Sequence, residues 1–316
     1  MAAIATNSAR GLVNTVRRVP AVVCNSEVRR FRTLSHGEGF LGALGHGSFQ
    51  AIDRPQAVPS LSAVNVLQVA AGWAHSAAVT ADGQLLVWGR PYDFRNALRL
   101  HNMHRILPFM ARAVNMVSSS ADVILEPTVV PLEGLEVYGE GNAEDEAQGP
   151  RPKAASVSCS AALTVVVTDT GEVQCMGQNR WGQCGLGSGA PVHVYRPERA
   201  GGEALSGEKV VKAVAGLQHV LVLCESGAVY GWGKNESGQL GTGEARNEES
   251  AVRVPLPSKA VDLDGGLHHG VAVLDTGEAY LWGKMLSREE KAVRGPVTVY
   301  HDCLEPLPAG LPASAA

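Results

Sequence analysis

Three histidines sit in one recurring frame: Gly72-x-x-His75, Gly216-x-x-His219 and Gly266-x-x-His269. Three imidazoles could hold a zinc ion with water in the open position. Each, however, belongs to a separate copy of the same segment. Equivalent positions in neighbouring structural units stand too far apart to share one ion at ligand distances of about 2 Å. A hydrogen-bonded structural histidine on an inner strand is the expectation. His268 and His269 adjoin on a strand, so their rings point to opposite faces. His101 and His104 are spaced i, i+3 and make half a metal site, with no carboxylate or cysteine suitably spaced nearby. No metal and no cofactor is expected. The chain has no G-x-S-x-G, no phosphate-binding loop of the Walker type and no dinucleotide fingerprint. Pairs such as Glu248-Glu249 and Glu289-Glu290 read as exposed loop charges. The six cysteines form no C-x-x-C pair, and their scatter suits buried thiols. The expectation is a protein that is not an enzyme.

The elements behind these residues are repeats. Val210 to Gly243, VVKAVAGLQHVLVLCESGAVYGWGKNESGQLGTG, shows the unit whole. A run of small and β-branched residues holds G-x-x-H. A turn follows, then a short strand ending in Trp-Gly, then a glycine-rich tail. Four copies appear. They align Gly72, Gly216 and Gly266; His75, His219 and His269; the turn glycines Gly83, Gly171, Gly227 and Gly277; the anchors Trp88, Met176, Trp232 and Trp282; and the closing Gly89, Gly177, Gly233 and Gly283. The second copy is degenerate, with Ser160 and Leu163 in place of the Gly and His. Tails occur at Gly42–Gly47, Gly182–Gly187 and Gly238–Gly243, but not after the first and fourth copies. The chain therefore reads as starting and ending on half-units. Alternating strands joined by Asp-Gly, Thr-Gly and Ser-Gly turns are hairpin chemistry. One hairpin pair cannot bury both faces alone, and stacking such units radially makes a β-propeller.

The pattern resembles the regulator-of-chromosome-condensation repeat family, whose blades carry G-x-x-H, a Gly turn, W-G-x-N and G-Q-L-G-x-G. The resemblance covers roughly residues 38–89 and 126–283. It implies an all-β propeller of about four to five blades, fewer than the seven typical of the family. A shortened ring, an open crescent and an incomplete version of a longer protein all stay open. In a closed ring, the N-terminal half-unit would complete the last blade. Gly72-Trp73-Ala74-His75-Ser76 is similar to the G-W-R-H-T motif of the family's plant UV-B receptor. The other copies lack its Trp and Arg, which disfavours light sensing.

The 316 residues include 36 glycines, with 45% apolar and 18% charged residues, a composition of many tight turns around a globular core. The net charge of −4 is uneven: residues 1–35 carry six arginines against Glu27 alone, so the rest is acidic. That acidity argues against broad binding to nucleic-acid backbones. Residues 1–35 read as a mitochondrial targeting presequence. Leu12, Val16 and Val19 share a helical face, and no apolar core of a secretory signal is present. Residues 36–316 are then the repeat domain. The expected location is the mitochondrion, in the matrix or at the inner membrane, with plastid or cytoplasm as alternatives.

Residues 90–153 are what the repeat does not explain. Asn96–Ser118 has apolar residues at helical spacing, with Pro108 breaking it into two short helices. Arg95, Arg99, His101, His104, Arg105 and Arg112 make its other positions basic, and they are the candidate partner-binding residues. Glu126–Pro131 reads as a crossover between blades. The helices read as a lid on an exposed propeller edge, with docking on a partner, an anionic membrane or RNA as the other readings. The expected function is a non-enzymatic scaffold that binds a protein partner. The resemblance adds a GTPase whose nucleotide exchange is promoted, though no exchange wedge is recognisable, and a mitoribosomal or organellar RNA complex. The oligomeric state is open.

Overall fold

In the computed structural model, the described residues are 4–7, 33–90, 123–132, 152–284 and 293–298. Four four-stranded antiparallel sheets follow one another along the chain. The first is β4 (Val66–Ala71), β5 (His75–Thr80), β6 (Leu85–Gly89) and β7 (Ile124–Val130), preceded by β1 (Ile4–Asn7), β2 (Leu34–Gly37) and β3 (Ile52–Ala57) in a three-stranded sheet. Next come β8 (Ala154–Cys159), β9 (Leu163–Thr168), β10 (Val173–Gln178) and β11 (His193–Arg199). Then follow β12 (Val210–Ala215), β13 (His219–Cys224), β14 (Val229–Gly233) and β15 (Glu248–Arg253). The last sheet is β16 (Ala260–Gly265), β17 (His269–Leu274), β18 (Ala279–Gly283) and β19 (Val293–Thr298). Each is a meander in chain order, as expected for a propeller blade.

The blades bury one another. The innermost strand of each packs on the second strand of the blade before it: β8 on β5, β12 on β9 and β16 on β13. All six residues of β5, β9 and β13 are therefore buried, which explains their near-continuous Val, Leu and Ala. β17 is different. Its burial alternates, and Val273 is 37% exposed where the equivalent Leu223 is 5% exposed. The last blade lacks a cover on one face among the described residues.

Hairpin turns between the second and third strands place Gly83, Gly171, Gly227 and Gly277 at φ of 84–86°. That left-handed conformation strains any side chain and suits glycine. The outermost strands tolerate proline, as at Pro55, Pro127 and Pro197, because one side of an edge strand has no partner to receive an N–H.

Three sequence expectations change. Glu126–Val130 is not a crossover: it lies in β7, the outermost strand of its blade, paired with β6. The stretch 90–153 is accordingly two excursions, not one. Residues 91–122 leave between β6 and β7, and 133–151 connect β7 to β8 at the opposite end of the sheet. Nor is the fourth copy a half-unit. β19 fills the fourth position of the last blade, so the N-terminal strands are not needed there. β2 and β3 instead form the outer half of a blade of their own. Gly37, at φ 114°, stands where the other blades have Gly89 and Gly233. The backbone of Ile4–Asn7, inside the segment read as an address, runs beside β2.

Candidate functional site

Two rims border the stack of sheets. One carries the turns between first and second strands and the connections between third and fourth strands. The other carries the Gly83-type hairpins and the crossings from blade to blade. Gly72, Gly216 and Gly266 occupy the first-rim turns, and His75, His219 and His269 begin the strands after them. Each of those histidines pairs in register with a closing glycine: His75 with Gly89, His219 with Gly233 and His269 with Gly283.

The G-x-x-H frame is a packing pair. A Cβ on Gly216 would lie 2.0 Å from Cε1 of His219, and one on Gly266 would lie 2.3 Å from Cε1 of His269. The ring lies against bare backbone, so the glycine cannot gain a side chain while the histidine stays. The second copy shows this: Ser160 and Leu163 replace the glycine and the histidine together. His75 Nε2 lies 3.0 Å from the Thr164 hydroxyl of the next blade. Burial lowers the His75 pKa to about 4; burial first, and then the nearby His268 and His269, lower that of His219 to about 3. Among the described residues no group of three His, Cys, Asp or Glu side chains is placed to hold a metal.

The thiols are structural as well. Cys159, Cys175, Cys184 and Cys224 are free and buried. Burial raises the Cys159 and Cys224 pKa values to about 12, which keeps them protonated and poor nucleophiles.

The tails and the tryptophans make one device, which spacing alone did not reveal. Nε1–H of Trp88 donates to Ala43 O at 2.9 Å, Trp232 to Gln183 O at 3.1 Å and Trp282 to Gln239 O at 3.0 Å. Each carbonyl is the second residue of the tail of the preceding blade. Two positions later, Gly45, Gly185 and Gly241 lie flat on the indole, where a Cβ would come within 2.9 Å of the ring. Asn179 and Asn235 hold two of these tails by accepting the amides of Cys184 and Leu240, both at 2.9 Å. The blade β4–β7 has no tail, and the blade after it has Met176, which needs no acceptor. A signal was available in the sequence: the missing tail and the missing Trp are consecutive.

That tail-less junction is closed otherwise. The Gln68 side chain donates to Val157 O and accepts from Val157 N, both at 3.1 Å, and His75 meets Thr164. Further on, Lys212 bonds Asp262 across inner strands at 2.7 Å, an exposed pair of small energetic weight. Leu67, Val211 and Val261, one from each of three inner strands, are 65%, 48% and 59% exposed. On the first rim Lys234 stands 4.6 Å from the Trp181 ring and 3.0 Å from Glu236.

Arg95, Arg99, His101, His104, Arg105 and Arg112 lie outside the described residues. The ends of their segment are nevertheless located, because Gly89 pairs with Ile124. Residues 90–123 leave and re-enter the first rim at one rung of a ladder, where other blades carry a tail.

Fold and rim together define a class: a β-propeller repeat protein that builds loops on a buried frame without a catalytic constellation among its described residues. The chain belongs to the regulator of chromosome condensation (RCC1) repeat family, whose repeat profiles match residues 32–79, 170–223 and 226–273, and also 66–94 and 210–239. It is similar to the human E3 ubiquitin-protein ligase HERC2, 32% identical over 229 residues, 66% of this chain and 5% of that protein. It is also similar to the Arabidopsis thaliana ultraviolet-B receptor UVR8, 28% identical over 71% of this chain and 53% of that one. The chain thus spans a small part of the first relative and about half of the second. Human WBSCR16 has the same fold, with a TM-score of 0.58 at 20% identity, covering 84% of this chain and 65% of that one.

Proposed function

We propose that this protein is a non-enzymatic scaffold that holds a protein partner against its first rim, in mitochondria. The observation that carries this reading is the Gly89–Ile124 rung. It mounts a basic, amphipathic segment on a rigid blade, at a rim position where the repeat discards its own tail. Function in repeat folds concentrates in such insertions, because the frame tolerates them without loss of packing. The arginine-rich residues 1–35 support the mitochondrial location.

The test is crosslinking in intact mitochondria. The wild-type chain and a chain with Arg99→Glu and Arg105→Glu are compared for the proteins recovered. Loss of a specific crosslinked protein in the variant supports the reading. An unchanged set, or failure of the chain to enter mitochondria, counts against it.

Family membership favours a second reading, a nucleotide-exchange factor for a GTPase. It predicts faster release of bound nucleotide from a mitochondrial GTPase when the protein is added. Unchanged release across the candidate GTPases removes it.

A further inference from the structure

The blade formed by β2 and β3 lacks the usual second strand. In the complete blades that place is held by β5, β9, β13 and β17, each six residues long and antiparallel to the third strand. A vacant place would leave the N–H and C=O groups of one edge of β2 without a ladder, an open template for another strand. Here the place is taken by the backbone of Ile4–Asn7. It pairs with β2 from Ile4 opposite Leu34 to Asn7 opposite Gly37. It also packs on β4, as β5, β9 and β13 pack on β8, β12 and β16.

This occupant is not built like the others. It runs parallel to β2, and it offers four residues where the other blades offer six. The other blades are antiparallel because a tight hairpin joins the two strands. Residues 8–33 separate β1 from β2, so no hairpin imposes direction, and a parallel pair needs just such a long connection. Parallel pairing is slightly weaker per residue, and the strand is short. A cavity of about 10 Å³ remains between β2 and β4, lined by residues that include Leu34, Ser35, Leu44, Val69, Ala71 and Trp88.

We propose that the free edge of β2 is a strand-acceptor site, occupied in cis by the chain's own Ile4–Asn7 and open to an extended protein segment once that strand leaves. Main-chain hydrogen bonds supply the affinity, the mode by which sheet edges take up peptides. Removal of residues 1–35 as a targeting presequence would vacate the site for good. That last step rests on the targeting reading of residues 1–35; the acceptor edge itself does not.

Hydrogen exchange on the purified full chain tests the edge without reference to its location in the cell. Wild type is compared with Ala5→Pro plus Thr6→Pro, which removes donors from β1 and leaves the four complete blades unaltered. The expected result is exchange across Leu34–Gly37 about tenfold faster in the variant, with β9 and β13 unchanged as a control of folding. A synthetic peptide of residues 1–10, added in trans to the variant, should slow it again. Unchanged exchange in the variant overturns the cis occupant. Failure of the peptide to restore protection overturns the acceptor site. Protection that returns with rising protein concentration instead makes a second copy the occupant, and overturns the cis assignment too.

Discussion

Trp232 reaches out of its own blade to the main-chain carbonyl of Gln183, 3.1 Å away in the glycine-rich tail of the blade before. Trp88 and Trp282 repeat the relationship with Ala43 and Gln239. The conspicuous residues of the repeat thus hold blades to one another. Where the tail is absent, the tryptophan is absent from the next blade, and Met176 fills the space, fully buried.

Replacing Trp232 by Phe should keep most of the apolar contact and orphan the buried Gln183 carbonyl. A loss of about 1–3 kcal/mol is expected. Restoring the consensus at the degenerate copy, Met176→Trp, should destabilise by about 1–3 kcal/mol, since the core there is full and no tail carbonyl awaits the indole. Urea denaturation checks both. A stabilised Met176→Trp protein would sink the coupling of tail and anchor.

Gly185 and Gly189 separate backbone strain from packing. Both have positive φ, 67° and 83°, but a Cβ on Gly185 would lie 2.7 Å from Trp232 Nε1, and one on Gly189 meets nothing within 4 Å. Gly189→Ala should cost about 1–2 kcal/mol for the left-handed conformation alone. Gly185→Ala should cost a further ~1–3 kcal/mol, because the tail must lift off the indole. Equal losses in thermal melts would show that the clamp bears no load.

Acid should weaken the fold through the buried histidines. The folded-state values, about 4 for His75 and about 3 for His219, lie below the 6.5 of a free imidazole. Above pH 6.5 neither group makes stability vary with pH. Below it, the unfolded chain takes up protons that the folded chain refuses, so stability falls from pH 6.5 toward each folded value. His219→Leu copies the natural Leu163 and should make this acid limb shallower, by up to about 1.4 kcal/mol per pH unit. Denaturation midpoints between pH 4 and pH 8 measure it. An unchanged slope would mean that His219 is protonated when folded.

Equivalent positions in the third and fourth blades should respond unequally. Leu223→Ala removes a side chain that is 5% exposed, and about 2–5 kcal/mol should go with it. Val273→Ala, at 37% exposure, should cost under about 1 kcal/mol. A large loss at Val273 in the isolated protein would reveal a cover on that face of the last blade.

The repeat was legible because its parts are local. A Gly turn at positive φ, strands of small and β-branched residues and a terminal Trp-Gly each carry their own conformational reason, so the central hairpin of a blade could be read directly. Gly216 and His219 were visible as a pair, and the metal reading failed on distance before any coordinates were needed. The insertion was harder. Glu126–Val130 contains a proline and follows a helical pattern, and nothing local distinguishes an outer strand from a crossover. Its pairing with β6 made it a strand.

By itself, the chain determined the hairpin at the heart of each blade: where its glycine turn falls and where its closing strand ends. Tertiary structure alone decided what joins one blade to the next. The Trp232 clamp on Gln183, the Gln68 bridge to Val157 and the seating of Ile4–Asn7 on β2 all end on main-chain atoms. A backbone carbonyl or amide is the same at every residue, so its partner leaves no mark in the amino-acid type. Only the folded arrangement shows which one is met.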